Sequence, residues 1–206
     1  MNQNHLNLAV KFYDAGWNLF LPILRLSSRL KEGYEARRLQ SGLPSADLWI
    51  QAASGGEAYL AWSIIRELAP GRPVRVLVTT NTRQGMDILE KTAKEISAAP
   101  RGITLLPGWC PFDKPAIMAK AVSQVNPKLV VLLETEIWPG LLHALKQRRR
   151  PAWIINGRIT EKSLARYKKG RIFLDLLRPE GVLAVSEADA ARFGELFGKA
   201  IISEMP

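Results

Sequence analysis

From Leu48 onward, short apolar runs alternate with stretches of helical length, and this alternation limits the folds open to the chain more than any other feature. The apolar runs do not alternate with polar residues, so we expect both sides of each strand to be covered. Buried strands separated by helices are typical of a parallel sheet with helices on both faces. The sequence therefore predicts an α/β fold with a doubly wound, mostly parallel sheet.

The predicted elements divide the chain into two parts. Strands are expected at residues 48–53, 74–80, 103–106, 129–133, 152–155, 182–185 and 200–202. Helices are expected at residues 57–68, 82–96, 114–125, 138–147, 160–177 and 187–197, with Ser54, Thr82 and Ser186 as N-caps. We predict one α/β domain over residues 45–206, preceded by a helical segment over residues 1–44.

The N-terminal segment carries a narrow polar stripe on an otherwise apolar helix between residues 6 and 30. The stripe consists of Asn7, Lys11, Asp14, Asn18 and Arg25, at helical spacing. Such a helix, kinked by Pro22, is typical of one that lies in a bilayer interface, and a helix packed in the protein core is the alternative. Arg25, Arg29, Lys31, Arg37 and Arg38 could meet anionic lipid headgroups.

Charge and composition narrow the possible partners. A single cysteine and two histidines far apart in sequence argue against a disulfide, a metal site and redox chemistry, and we expect no cofactor. Of the net charge of +10, residues 146–178 carry eleven Lys/Arg against two acids, a local charge of +9. This segment predicts an anionic partner, or else a solvated basic face. The segment lacks the aromatic residues, interleaved with cations, on which the bases of a single-stranded nucleic acid stack, so we do not expect nucleic acid as a partner.

Polar residues follow the predicted strands at the edge where parallel sheets bind ligands. Glu57 follows a Ser-Gly-Gly turn after the first strand, and Glu134 directly follows five apolar residues. A carboxylate there is costly to desolvate unless it is paired or functional, and Arg158 is a plausible partner for Glu134. Glu57 could act as a general base or could simply be an acid in the first turn of a helix.

Several blocks in this order resemble one family. The stretch W-I-Q-A-A-S-G-G-E at residues 49–57 is similar to the W-I-H-A-x-S-x-G-E signature of the Kdo transferases, which move 3-deoxy-D-manno-oct-2-ulosonic acid (Kdo) from CMP-Kdo to a lipid A precursor. The resemblance continues through T-T-N-T at 79–82, P-F-D at 111–113, E-T-E-I-W-P at 134–139, N-G-R-I at 156–159 and S-E at 186–187. Gln51 replaces the usual histidine, so a proton relay at that position is absent.

The resemblance implies a fold and a mechanism. It implies a Rossmann-like N-terminal half of a GT-B glycosyltransferase, inverting and metal-independent, on the cytoplasmic face of the inner membrane. Glu57 would take the proton from the acceptor hydroxyl, while CMP-Kdo would bind a second domain that this chain lacks, so that the chain alone would be inactive. The residues expected to bind the lipid A precursor are Ser54, Gly55, Gly56, Thr80, Thr82, Glu134, Glu136, Asn156, Arg158 and Lys162. The alternative is a non-catalytic module that binds glycolipid or membrane.

Overall fold

The structure is a computed structural model that describes residues 3–98, 102–170, 174, 177–198 and 200–205. Seven strands form one sheet in the order β3-β2-β1-β4-β5-β6-β7. Their bounds are β1 Leu48–Gln51, β2 Val74–Thr80, β3 Ile103–Trp109, β4 Leu129–Leu133, β5 Ala152–Gly157, β6 Gly181–Ala184 and β7 Ile201–Glu204. Every neighbouring pair is parallel, so the Rossmann-like α/β prediction is confirmed.

Helices cover both faces of the sheet. The helices before the first strand are α1 Gln3–Leu24, α2 Ser28–Lys31 and α3 Tyr34–Arg37. Those that follow are α4 Gly55–Glu67, α5 Arg83–Ser97, α6 Pro115–Val125, α7 Pro139–Gln147, α8 Glu161–Lys168 and α9 Glu187–Phe197. Buried side chains of α4 and α5 share one core cluster with β1 to β4, and those of α6 to α9 share the other with β1 and β4 to β6. Two apolar layers therefore enclose the sheet.

Most element boundaries agree with the sequence prediction, and the differences have local causes. The bounds of β2, β4 and α9 are as predicted. β3 runs three residues beyond the predicted end, through Pro107, because it is an edge strand and can accommodate a residue without an N–H. β5 continues to Gly157 through an irregularity in its pairing with β6. Part of the predicted helix at 160–177, residues 171–173 and 175–176, lies outside the described residues.

The helix predicted over residues 6–30 is divided, and two residues of its polar stripe, Asp14 and Asn18, contact the domain. α1 ends at Leu24, shortly after Pro22, and α2 begins at Ser28. On the stripe, Asp14 accepts a hydrogen bond from the backbone N–H of Ala116 (3.4 Å) and lies 3.8 Å from the Lys114 ammonium. The opposite side carries exposed apolar residues: Leu8, Phe12, Leu19, Phe20 and Ile23. The helix thus leaves part of its apolar surface exposed, while Val10 packs against the core cluster and Trp17 lies against Phe112, with ring centroids 6.0 Å apart.

The residues that link this helix to the sheet belong to the folded core. Leu39 and Ala46 are buried in the same cluster as β1 and α6. Arg37 is only 1% exposed, so the prediction that it meets lipid headgroups is wrong. In the described part of the chain, no helix is both long and apolar enough to cross a membrane.

Candidate functional site

The order of the strands reverses between β1 and β4, and two acids lie where these strands end. In doubly wound sheets, ligands bind outside the carboxyl ends of the strands at this position. Ser54 is the N-cap of α4, and its hydroxyl accepts the backbone N–H of Glu57 (3.3 Å) while donating to Glu57 Oε1 (2.9 Å). The other oxygen, Oε2, accepts the N–H of Ala53 at 2.7 Å. This reciprocal pair is a variant of the capping box, in which the carboxylate accepts the N–H of the residue before the N-cap, and it holds the carboxylate against its own loop.

The environment of Glu57 favours its protonated form. The residue is 6% exposed, and this burial raises the pKa of its carboxyl group. Hydrogen bonds from Ala53 and Ser54 lower the pKa by less, and the nearby charge of Glu134 raises it further. The fold thus brings the acids that follow β1 and β4 within electrostatic range. A carboxylate with a raised pKa is a stronger base when it is ionised.

Two residues at the carboxyl edge have left-handed backbones. Glu134, after β4, has a φ of 58°, and Asn156, in the irregular part of β5, has a φ of 56°. Asparagine tolerates this region, whereas for glutamate it costs free energy. Strain of this kind gathers at functional sites, where surrounding structure fixes a side chain in one direction. Both residues are half-buried and were predicted to bind the acceptor.

A pocket of about 430 Å³ opens beside this edge, between the N-terminal segment and the sheet. Trp17, Leu24 and Leu30 of that segment supply much of its apolar wall, and the ring of Phe112 lies beside Trp17, with centroids 6.0 Å apart. The remaining lining residues are Ser27, Arg37, Ala53, Asn81, Pro111, Asp113, Glu136 and Trp138. Glu57 does not line the pocket itself, but its carboxylate holds Ala53, which does. The pocket is therefore apolar on one side and polar on the other.

Arg37 is the buried cation of the pocket. Its guanidinium donates to the side-chain oxygen of Asn81 at 2.8 Å, to the carbonyl of Asn81 at 2.9 Å and to the carbonyl of Cys110 at 3.1 Å. It also lies over the Trp109 ring, 4.8 Å from its centroid. These contacts fix the loops that follow β2 and β3 against the N-terminal segment.

Asp113 joins three parts of the pocket. Its carboxylate accepts the N–H groups of Gly140 and Leu141 at the start of α7, each at 2.8 Å, and the hydroxyl of Tyr13 at 2.9 Å. Complete burial outweighs these hydrogen bonds and raises the pKa of Asp113 to about 7. Gly140 is required here, because a Cβ would lie 2.2 Å from the Asp113 carbonyl oxygen. Asp113 thus caps α7 and anchors α1.

The predicted site residues fall into two groups. Ser54, Glu57, Glu134 and Glu136 lie around the β1–β4 reversal or in the pocket. Thr80 does not line the pocket: it is fully buried, and a Cβ on Gly85 would meet its hydroxyl at 2.2 Å. Thr82 caps α5 by accepting the Gly85 N–H at 3.0 Å.

The remaining predicted residues lie at the surface or beside other groups. Gly55 is buried next to the side chain of Gln84, whereas Gly56 is exposed. Arg158 and Lys162 are exposed. Arg158 lies near Asp189 rather than pairing with Glu134, since its charge helps to lower the pKa of Asp189 and no ion pair joins it to Glu134 among the described residues. Within the same residues, no three His, Cys, Asp or Glu side chains come together as a metal site.

Sequence reasoning missed the residues that complete the pocket. Asn81 and Asp113 lie in blocks that carried the resemblance, and that was the signal that could have found them. Arg37 gave no such signal, because it lies among charged neighbours and resembles a surface residue. Gln51, the residue in the usual histidine position, is fully buried and accepts a hydrogen bond from Thr79, which in turn accepts one from the Trp49 indole.

Sequence comparisons relate the chain to a family of known proteins. The sequence model of the family described as 3-deoxy-D-manno-octulosonic-acid transferase (kdotransferase) matches residues 25–204. A 3-deoxy-D-manno-octulosonic acid transferase of Haemophilus influenzae is 31% identical over 154 residues, covering 74% of this chain and 34% of the relative. One from Bordetella pertussis is 29% identical over 178 residues, covering 85% of this chain and 39% of the relative. A bifunctional glycosyltransferase/methyltransferase of Fusobacterium nucleatum is 28% identical and covers 62% of this chain and 19% of the relative.

Proposed function

Because the chain belongs to the 3-deoxy-D-manno-octulosonic-acid transferase family, we propose that it is the acceptor-binding part of an enzyme that transfers Kdo from CMP-Kdo to a lipid A precursor in lipopolysaccharide biosynthesis. The chain spans about a third of the length of the curated relatives named first, 34% for the Haemophilus influenzae protein. We therefore propose that CMP-Kdo binds a separate donor domain, and that this chain does not catalyse transfer without it.

The observation that carries the proposal is the buried Glu57 carboxylate at the β1–β4 reversal, with its raised pKa. In the proposed step, Glu57 takes the proton of an acceptor hydroxyl as that oxygen forms a bond to the anomeric carbon of Kdo. The bond from that carbon to the phosphate oxygen breaks, and CMP leaves with the electron pair. Attack from the side opposite CMP inverts the configuration, and the step requires no metal. Glu57 can still accept this proton because each carboxylate oxygen has a second lone pair.

The pocket suits an acceptor that is part sugar and part lipid. Glu136, Asn81 and Arg37 provide polar groups for a sugar, while Trp17 and Leu24 offer apolar contact. The exposed cations Arg158 and Lys162 are placed to attract the acceptor's negative charges from the solvent side. We propose that the sugar hydroxyl enters from this pocket toward Glu57, past Ala53 and the strained Glu134.

The test is Kdo transfer by the full-length protein, donor domain included, with Glu57→Gln. Glutamine can complete the capping box but cannot take a proton, so we expect the transfer rate to fall by about 10³-fold. Asp189→Asn is the matched control, because Asp189 occupies the same position in the capping box of α9. Its transfer rate should stay within about twofold of the wild type.

A rate within tenfold of wild type for Glu57→Gln would reject the base assignment. Equal losses in both variants would mean that the capping boxes act only through stability. Absence of Kdo transfer by the wild-type full-length protein, with binding to glycolipid or vesicles retained, would favour the second candidate, a non-catalytic module that binds glycolipid or membrane. One observation supports that candidate: both oxygens of Glu57 already accept structural hydrogen bonds.

We further propose that α1 lies in the interface of the cytoplasmic leaflet of the inner membrane. Its exposed side carries Phe12 (69% exposed) and Leu19 (70%), and an apolar groove of about 400 Å³ runs along it. Because Asp14 and Asn18 hold the other side of α1 against the domain, this exposed apolar side is the part free to enter lipid. Phe12→Ser with Leu19→Ser should reduce binding to vesicles containing anionic lipid by about tenfold or more. The matched control is Tyr59→Ser on α4, also exposed and aromatic, which should have no effect.

A further inference from the structure

A second pocket, of about 340 Å³, lies at the opposite edge of the sheet. It is formed where α7 ends and where β5 and β6 begin, and it has an apolar floor beneath a group of charged residues. Its lining residues are Leu142, Leu145, Lys146, Arg149, Arg150, Pro151, Ala152, Arg178 and Glu180. Four cations thus face one pocket that contains a single acid.

This pocket is separate from the candidate site. Arg150 precedes β5 and Arg158 follows it, and a strand of six residues spans about 20 Å. The basic segment at residues 146–178, which appeared as one positive region in the sequence, is therefore divided between the two edges of the sheet. The cations at the amino edge lie too far away to contact an acceptor at the carboxyl edge.

Arg149 has a left-handed backbone that is unfavourable for arginine, although glycine would fit there without strain. α7 ends in a Schellman motif, in which the Arg149 N–H bonds the Lys146 carbonyl (3.1 Å) and the Arg150 N–H bonds the Leu145 carbonyl (2.9 Å). In this motif the first residue after the C-cap must have a left-handed backbone, and glycine is the usual residue there. Arg149 occupies this position with a φ of 53°. Helix capping alone therefore does not account for an arginine here.

Two other cations of the pocket, Arg150 and Lys146, are also in energetically unfavourable surroundings. The Nε of Arg150 is buried without a hydrogen-bond partner, although its Nη2 donates to Asn126 at 2.6 Å. Burial lowers the pKa of Lys146, and the nearby positive charge of Arg178 lowers it further. Glu180 only partly offsets this, and one of its oxygens is already bonded to the Ala152 N–H at 2.6 Å. Among the described residues, Lys146, Arg149 and Arg150 form no ion pair with a carboxylate.

A bound anion would relieve the costs at Arg150 and Lys146 and would offset the backbone strain at Arg149. It would accept the hydrogen of Arg150 Nε, offset the repulsion between Lys146 and Arg178, and give Arg149 a charged partner. Guanidinium groups bind phosphate through paired hydrogen bonds, and an ammonium adds a compact charge. We propose that this amino-edge pocket binds a doubly charged phosphate group, with the apolar floor of Leu142 and Leu145 accommodating whatever the phosphate is attached to. The proposal does not depend on Kdo transfer.

The test is calorimetric titration of the 206-residue chain with inorganic pyrophosphate. Arg149→Gly removes a cation but places the favoured residue in the Schellman motif, so it should weaken binding about fivefold or more without lowering the thermal midpoint. Lys146→Gln should weaken binding similarly. Arg83→Gln is the matched control, because Arg83 is an exposed arginine of α5 and its loss changes the net charge equally.

Saturable binding that Arg149→Gly and Lys146→Gln weaken, and that Arg83→Gln does not, would support the proposal. An equal effect of Arg83→Gln, or no saturable binding of any phosphate, would overturn it. Vesicles containing phosphatidic acid distinguish the source: sensitivity to the pocket variants with vesicles alone would assign a lipid headgroup, and sensitivity with pyrophosphate a soluble phosphate. Binding of duplex DNA that the variants weaken, without binding of either phosphate probe, would overturn the proposal in favour of nucleic acid.

Discussion

The same capping motif begins α4 and α9, yet its acid has opposite properties in the two helices. Ser54 and Ser186 are both N-caps, and each exchanges hydrogen bonds with the acid three residues later, Glu57 or Asp189. Burial acts to raise the pKa of both acids. At Asp189, the Ile159 N–H, the Ser186 hydroxyl and the charges of Arg192 and Arg158 outweigh it and lower the pKa. At Glu57, the neighbouring charge is negative, and the pKa is raised.

The difference shows that local sequence determines the cap, while tertiary structure determines its chemistry. Serine followed by an acid three residues later is enough to predict a helix start. Whether burial or hydrogen bonding decides the pKa of the acid depends on the surrounding structure, and charges from other strands, Glu134 after β4 and Arg158 after β5, act in the same direction but are the smallest contributions. The comparison can be tested at each of these points.

Among the variants that compare the two caps, the largest effect is expected from shortening the proposed base. Glu57→Asp retains the charge but withdraws the carboxylate by about 1 Å, which should reduce the transfer rate of the full-length enzyme by about 100-fold. Arg192→Gln, which removes a cation beside Asp189, should leave the rate unchanged because that site is structural. Steady-state transfer assays with purified proteins would measure both. Unaltered transfer by Glu57→Asp would show that the position of this carboxylate does not matter to the reaction.

The next effect is on stability, and it should have opposite signs at the two caps. Asp189→Asn should lower the free energy of unfolding at pH 7 by about 1 kcal/mol, because charge-assisted hydrogen bonds are lost. Since the pKa of Asp189 is lowered in the folded protein, this difference should shrink as the pH falls below its ordinary value of 3.8.

Glu57→Gln should leave the free energy of unfolding at pH 7 unchanged or higher. A raised folded pKa means that the stabilisation from neutral Glu57 is complete below pH 4.5 and is lost as the pH rises through the folded pKa. Urea unfolding of both variants at pH 2, pH 4 and pH 7 would check the signs and the pH dependence of both differences. A clear loss of stability in Glu57→Gln at pH 7 would contradict this account of the cap.

The smallest effect is a displacement of the pH profile. Ser54→Ala removes the hydroxyl that stabilises ionised Glu57, so the acid limb of the transfer rate should move to higher pH. Glu134→Gln removes a repulsive charge, so the same limb should move to lower pH. Ser186→Ala should cost about as much stability as Ser54→Ala, about 1 kcal/mol, with no displacement. Identical profiles in all of these proteins would mean that Glu57 does not govern the acid limb.

Sequence patterns were sufficient where a residue's role depends on its neighbours in the chain. The apolar runs of β2 and β4 gave their bounds, and the hydroxyl residues Ser54, Thr82 and Ser186 gave three helix starts. The contacts of Asp14 and Asn18 on α1 with the domain could not be read in this way, because they depend on Lys114 and Ala116, about a hundred residues away.

The residues of the pocket also depend on tertiary contacts that local sequence patterns do not predict. Burial of Arg37 arises from the convergence of the loops that carry Asn81 and Cys110, which no local pattern encodes. Arg158 was expected beside Glu134 because their strands are neighbours, but the irregular end of β5 precedes it and it lies near Asp189 instead. Adjacent strands in a sheet thus predict a shared edge, but they do not predict which side chains pair along it.

The three hydrogen bonds that Asp113 accepts connect the first helix, α1, to the start of α7. Without Tyr13, a carboxylate inside the protein would lose one of its three donors, and the first turn of α7 would rest on an incompletely bonded group. Cutting away residues 1–30 would consequently disturb the loop that carries Trp138, even in a solution without lipid. The proposed membrane contact of α1 and the wall of the pocket thus both depend on the hydrogen bond between Tyr13 and Asp113, so single substitutions on the outer side of α1 are the cleaner way to separate them.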